Sequence, residues 1–197
     1  MTDTRPIGVF DSGVGGLTVV HELRRTLPGE SLVYLADLRN FPYGPRPQAE
    51  VRALALAIIE HLVSLDTKLV VIACNTATAA ALNLARERFD IPIVGVIAPG
   101  AQAAAAATET GRVAVLSTEG TRASNEYVHA LKEANPGVSV LGIAAPELVG
   151  IVESGDADSV RAAAALHPLV DRALQWNADT LVLGCTHYPL LQPALRR

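Results

Sequence analysis

Lysine and cysteine are the scarcest reactive residues in this chain. Its 197 residues hold two lysines, Lys68 and Lys132, and two cysteines, Cys74 and Cys185. Chemistry through a lysine Schiff base, as with pyridoxal, would depend on one lysine before an expected strand or one on an expected surface helix, so a cofactor-free mechanism is favoured. No apolar run approaches the roughly 18 residues of a membrane span. The opening Met1-Thr2-Asp3-Thr4-Arg5-Pro6 lacks the long apolar segment of a secretory signal. Charge of one sign is never concentrated: the formal net charge of -4 is spread along the chain, with no basic face for nucleic acid and no acidic tail for a basic partner. These absences predict a soluble, cytoplasmic protein with no nucleic-acid or membrane partner. In a reducing compartment the two cysteines point to catalysis or metal binding more than to a disulfide.

Half of the residues are hydrophobic, enough for a real core although part of it is alanine. Two stretches share one plan. Leu69-Val70-Val71-Ile72-Ala73-Cys74-Asn75-Thr76-Ala77 and Leu181-Val182-Leu183-Gly184-Cys185-Thr186-His187-Tyr188-Pro189 both run from branched apolar residues through a small residue to a thiol and hydrogen-bonding side chains. Such runs read as buried parallel strands, and parallel sheets bind ligands beyond the carboxyl ends of their strands. Both thiols fall where such a fold places its chemistry.

The rest of the chain alternates in the same manner. Pro6 to Phe10 predicts a first strand, Asp11-Ser12-Gly13-Val14-Gly15-Gly16 a loop, and the following residues a helix to about Leu27. A dinucleotide reading of the glycines fails in register, because the third glycine would fall on Thr18 and Asp11 would stand where a phosphate belongs. Gly15 and Gly16 then serve a tight turn. A strand from Ser31 to Asp37 leads to Asn40-Phe41-Pro42-Tyr43-Gly44-Pro45-Arg46-Pro47, whose prolines stiffen either a binding loop or a rigid turn around a packed tyrosine. Helical spacing runs from Ala49 to about Leu65. After Cys74, Asn75 is expected to cap a helix to about Arg88, whose positive end would favour a thiolate. A strand from Ile91 to Ile97 is expected to break at Pro99-Gly100. The pattern then restarts: a helix over 101–110, a strand from Arg112 to Leu116, the hydroxyl-rich 117–121, a helix to about Ala134, a strand over 138–144, a short segment over 148–153 and a helix through Trp176. The expected fold class is α/β: two pseudo-symmetric domains, 1–98 and 99–197, each a mainly parallel sheet flanked by helices, with an active site in the cleft between them.

One thiol on each side of a ligand suits inversion at a carbon bearing hydrogen. A thiolate removes the proton from one face, a thiol delivers one to the other, and the two exchange roles without a change in total charge. Asp11 and His187 are the candidate neighbours that would tune the thiols, although each taken singly also reads as a helix-capping acid or a strand-end histidine. A zinc site from Cys74, Cys185, His187 and Asp11 lacks a C-x-x-C or H-x-x-x-H pair to anchor it, so no metal is expected. A cysteine hydrolase would leave the second thiol without a role.

At Gly8-Val9-Phe10-Asp11-Ser12-Gly13-Val14-Gly15-Gly16-Leu17, Pro42-Tyr43-Gly44, Ala73-Cys74-Asn75-Thr76-Ala77 and Leu183-Gly184-Cys185-Thr186-His187-Tyr188-Pro189-Leu190 the sequence resembles the glutamate racemases, within the cofactor-independent aspartate/glutamate racemase superfamily. The resemblance implies that Cys74 and Cys185 are the acid/base residues, assisted by Asp11 and His187. It implies that Asp11, Ser12, Tyr43, Gly44, Asn75, Thr76, Thr186 and His187 hold the amino acid, that Thr118 and Thr121 add substrate contacts, and that Glu153 has an auxiliary role. It further implies D-glutamate made for peptidoglycan, no cofactor, and an assembly that in family members is often a homodimer. Where many relatives carry a cysteine before the proline near Glu153, this chain has Ala145-Pro146-Glu147. Family members continue some tens of residues past the Cys185 motif, and that segment completes the first domain. The expectation is either a fragment or a first sheet with an open face and edge. Racemisation of aspartate, or binding of an acidic amino acid without turnover, are the competing readings.

Overall fold

Apolar runs bounded by polar residues become parallel strands in the computed structural model, which describes residues 3–196. The chain divides into two units, Met1–Val96 and Ile97–Arg197. In the first, β1 (Ile7–Asp11), α1 (Leu17–Thr26), β2 (Leu32–Ala36), α2 (Gln48–Ser64), β3 (Leu69–Ile72), α3 (Asn75–Arg88) and β4 (Ile93–Gly95) follow one another. Their four strands lie in the order β2-β1-β3-β4 with every pairing parallel. Parallel pairing forces a crossover after each strand, which the intervening helices provide. All carboxyl ends therefore reach the same edge, where Asp11 pairs with Ala36 and Phe10 with Ile72.

β1 is buried along its whole length, as a central parallel strand covered on both faces must be. On one face Phe10, Val70 and Ile72 pack with Val51, Ala55, Ile59 and Leu62 of α2 and with Ala77 and Ala81 of α3. On the other, Ile7, Val9, Val71 and Ala73 meet Val19, Val20 and Leu23 of α1. Burial of each large aliphatic side chain stabilises by about 1.5–3 kcal/mol. Such packing on both sides holds the ends of β1 and β3 in place.

The second unit contains α4 (Ile97–Ala107), β5 (Arg112–Ser117), α5 (Glu119–Ser124), α6 (Glu126–Ala134), β6 (Ser139–Ala144), α7 (Glu147–Glu153), α8 (Val160–Gln175), β7 (Thr180–Gly184), a 3-10 turn (Tyr188–Leu191) and α9 (Gln192–Leu195). Its strands lie in the order β6-β5-β7, again all parallel. That order repeats β2-β1-β3, so β7 occupies in its sheet the position that β3 occupies in the other. The α/β class with two mainly parallel sheets is as the sequence predicts.

Two local expectations change. Pro99 and Gly100 do not break a strand; they lie within α4, which starts at Ile97 and takes in the residues expected to separate the domains. Proline in the first turn costs nothing there, since its missing N–H would have had no intrahelical partner. The helix expected to reach Ala134 without interruption is split at Asn125, whose φ of 59° is left-handed. Asparagine tolerates that conformation better than most residues. Among the described residues no helix is long and apolar enough to cross a membrane.

Candidate active site

The loop after β1 is wrapped around a carboxylate. Asp11 is completely buried, and its Oδ2 accepts hydrogen bonds from the backbone N–H of Gly13 at 3.0 Å and of Gly16 at 3.1 Å. These glycine N–H groups converge on an acid, which accounts for the failure of the nucleotide pattern. Gly16 does more than allow a turn: a Cβ there would lie 2.5 Å from Asp11 Cβ and 2.7 Å from the Tyr34 hydroxyl. Tyr34 in turn donates to the Gly13 carbonyl at 2.7 Å. Loop, acid and tyrosine thus form one packed piece.

Next to it stands Cys74, buried, at the start of α3. Here the structure corrects the expectation that Asn75 caps this helix. The thiol itself is the N-cap, its Sγ accepting from the Ala77 N–H at 3.4 Å, and it lies 3.7 Å from Ser12 Oγ. The helix start does not yield a thiolate. Burial pushes the Cys74 thiol up to about 12, the neighbouring Asp11 charge adds to the rise, and the hydrogen bonds from Ala77 and Ser12 offset only part of it. Desolvation outweighs the dipole because the whole cost of an unsolvated charge falls on one atom. Asn75 and Thr76 are buried in the first turn of the same helix.

Tyr43 reaches this edge from the loop between β2 and α2. Its side chain is 1% exposed, and its hydroxyl donates to Asp37 Oδ2 at 2.6 Å. Burial, then the Asp37 acceptor, hold the phenol well above its ordinary range, so it remains a donor. The tyrosine is packed and anchored, while Gly44 beside it is part-exposed.

In the second unit the thiol has a different company. Cys185 follows β7 directly and is buried. Its Sγ lies 3.7 Å from His187 Nδ1, and the opposite ring nitrogen, Nε2, lies 2.6 Å from Glu153 Oε1. A carboxylate accepts only an N–H, which puts a proton on Nε2; in the neutral ring the Nδ1 lone pair then faces the thiol. Glu153 ends α7 and arrives from 34 residues away in sequence. The turn carrying His187 is held by Tyr188, which is fully buried and donates to the Ala145 carbonyl at 2.8 Å. Thr118 caps α5 immediately after β5, and its hydroxyl bonds Thr121 Oγ1 at 3.1 Å. Ser117, just before it, is in register with Gly184, so these hydroxyls sit at the same sheet edge as Cys185.

The sequence-predicted residues therefore gather at two sheet edges: Asp11, Ser12, Cys74, Asn75 and Thr76 at that of the first, where Tyr43 and Gly44 arrive from the loop between β2 and α2, and Thr118, Thr121, Cys185, Thr186 and His187 at that of the second, with Glu153, at the end of α7, joined to His187. In the sequence Asp37 is visible only as the acid that closes the second expected strand. Its link to Tyr43 depends on how the intervening loop folds back; the one sequence signal was an acid ending a strand next to the Asp11 strand.

Residues 7–197 match the family model described as Asp/Glu/hydantoin racemase. A glutamate racemase of Lactococcus lactis subsp. cremoris is 45% identical over 198 residues, covering 98% of this chain and 71% of that protein. The crystal structure of a glutamate racemase isoform from Bacillus anthracis superposes with a TM-score of 0.90 at 42% identity, over 99% of this chain and 73% of the other. That of the Francisella tularensis glutamate racemase in complex with D-glutamate gives a TM-score of 0.89 at 33% identity, over 98% and 73%. Matched along nearly its whole length and at both thiol-bearing strand ends, the chain belongs to the Asp/Glu/hydantoin racemase family.

Proposed function

We propose that this chain is a glutamate racemase that interconverts L- and D-glutamate without an added cofactor, with Cys74 and Cys185 as its two acid/base groups. The observation that carries the reading is the repetition of one device: a buried thiol at the end of the equivalent strand of each sheet, with a proton-accepting partner from its own unit. For Cys74 that partner is Asp11; for Cys185 it is His187 backed by Glu153. The relatives named glutamate racemase, and the D-glutamate complex among them, support glutamate over aspartate.

One thiolate takes the α-proton and the other thiol returns a proton to the opposite face. The carbanion formed between these steps needs donors in place before it appears, and the first turn of α3, with Asn75 and Thr76, and the hydroxyls of Ser12, Thr118, Thr121 and Thr186 supply them. Backbone at Tyr43 and Gly44 completes the hold on the amino acid. Cys74 rests as a thiol, ready to give its proton; to act as a base it must first pass that proton on, and Asp11 is the group at hand. His187 performs the same service for Cys185. Free thiols in this role suit a reducing cytoplasm, where the product would supply peptidoglycan synthesis.

The test is loss of optical rotation from L-glutamate, with solvent deuterium appearing at the α-carbon, in wild type, Cys74→Ala and Cys185→Ala. Racemisation by wild type and by neither variant is the expected result. Full activity in either variant would remove the two-thiol mechanism, and faster turnover of aspartate would move the substrate.

A further inference from the structure

One carboxylate at the edge of the first sheet has no part in that scheme. Asp37 follows β2, and its backbone N–H donates to the carbonyl oxygen of Asp11 at 3.0 Å. Its side chain is a hub. Asn40 Nδ2 lies 3.0 Å from both carboxylate oxygens, the Asn40 backbone N–H donates to Oδ1 at 3.3 Å, and Tyr43 donates its hydroxyl to Oδ2 at 2.6 Å. The loop is closed further by Arg46, whose Nε donates to the Asn40 carbonyl at 2.8 Å and whose backbone N–H donates to that of Tyr43 at 3.0 Å. Phe41 lies against the Asp11 loop so closely that a Cβ on Gly13 would meet its ring at 2.8 Å.

Two consequences follow from these contacts. Tyr43 cannot touch a ligand through its phenol, because the ring is buried and the hydroxyl is spent on Asp37. Whatever this segment offers a substrate comes from backbone at Tyr43 and Gly44, and that backbone stands where the Asp37 bonds put it. Asp37 is likewise engaged, since both of its oxygens accept hydrogen bonds from donors in its own loop. A bare carboxylate here would repel a dicarboxylic amino acid; one ringed by three donors has much of its charge screened by them.

We propose that Asp37 is a positioning residue for the racemase reaction: it ties the Tyr43–Gly44 backbone to the Asp11 strand end, and so sets affinity for the amino acid without entering the proton transfers. This rests on the glutamate racemase reading. A backbone donor displaced by an ångström loses most of its hydrogen bond, whereas the thiols, on other elements, stay where they are.

Steady-state racemisation of L-glutamate by wild type, Asp37→Ala, Asp37→Asn, Tyr43→Phe and the double variant Asp37→Ala/Tyr43→Phe tests it, with thermal melts alongside. In Asp37→Ala, KM should rise about 10- to 100-fold, the worth of a charge-assisted hydrogen bond, while kcat stays within about threefold and its pH profile keeps its shape. Asp37→Asn keeps one acceptor oxygen and should recover part of the loss. Tyr43→Phe should raise KM less, because Asn40 still holds Asp37, and the double variant should be no worse than Asp37→Ala. A fall in kcat with KM unchanged, or a displaced limb of the pH profile, would put Asp37 in the chemistry and overturn the proposal. Lower melting temperature with unaltered KM would reduce it to a structural residue and overturn it equally. Should Asp37→Ala fail to fold, Asp37→Asn and Tyr43→Phe decide by the same KM criterion. Calorimetric binding of L-glutamate separates this from the functional reading: wild type that binds but does not racemise sinks the latter, and the contrast in Kd between wild type and Asp37→Asn still judges the former.

Discussion

The two sheet edges solve one problem in opposite ways. On the proposed mechanism each must present a buried thiol that can both lose and regain a proton. In the first unit Cys74 caps a 14-residue helix and lies beside Asp11, a carboxylate clasped by backbone N–H groups. In the second, Cys185 is followed by a four-residue 3-10 turn and faces an imidazole whose far nitrogen is held by Glu153. Strand order is shared, β2-β1-β3 against β6-β5-β7, but the acid that closes β1 has hydroxyls, Ser117 and Thr118, as its counterpart at β5. Topology repeats while the proton-handling groups do not. What the fold conserves between its halves is the place of the thiol; what tunes the thiol is local.

The sharpest way to break this comparison is to remove each thiol in turn. Cys74→Ala and Cys185→Ala should both lower racemisation by about 10³-fold, the scale of an acid/base group, followed by optical rotation. A large loss in one and a small loss in the other would mean that the halves are not equivalent in the chemistry. Next come their partners. Asp11→Asn and His187→Asn should each cost about 10²-fold, and Glu153→Gln, one step removed, about tenfold. Because the two enantiomers have equal free energy, kcat/KM must fall by one factor in both directions; the asymmetry between the halves will appear only in kcat and KM taken separately.

Stability against pH tests the Cys74 side alone. Its thiol is raised in the folded state from an ordinary 9.0 to about 12, so its contribution is whole below about 9 and is lost as pH climbs toward 12, where the unfolded chain releases a proton that the folded chain keeps. Between pH 9 and 10, wild type should lose about 1 kcal/mol more than Cys74→Ser in urea melts. Equal losses would show that burial does not control this thiol.

Two glycines with opposite surroundings test the frame that holds these groups. Gly16→Ala would drive a methyl into Asp11 and should destabilise by about 1–3 kcal/mol. Gly150, inside α7 with nothing near its missing side chain, should gain up to about 1 kcal/mol as alanine. If Gly150→Ala also steadies the helix end that carries Glu153, the pairing with His187 becomes the place to look for a change in kcat.

Much of this was legible from residue order, and the part that was not has definite causes. Strand ends are marked by the change from branched apolar to polar residues, so Asp11, Cys74 and Cys185 could be placed at sheet edges from that order alone. Glu153 could not, because its partner lies 34 residues away and only packing of α7 beside the Cys185 turn joins them; resemblance to the family pointed to it instead. Asp37 was visible as a strand-end acid, but its bond to Tyr43 exists only once the loop has closed. Pro99-Gly100 misled because a proline that stops a strand and one that sits in the first turn of a helix look alike in local sequence. The thiolate expected at Cys74 failed for a further reason: a helix start can be read from sequence, whereas the degree of burial that defeats it cannot.

Cys74 Sγ is also the acceptor that closes the first turn of α3. A thiolate accepts a hydrogen bond more strongly than a thiol does, so on the two-thiol scheme the grip on Asn75 and Thr76 tightens and relaxes as the proton leaves and returns. The unliganded enzyme then exists in two forms, one after releasing each enantiomer. A single sulfur-to-nitrogen contact keeps a record of the hand last made, until a proton crosses back and erases it.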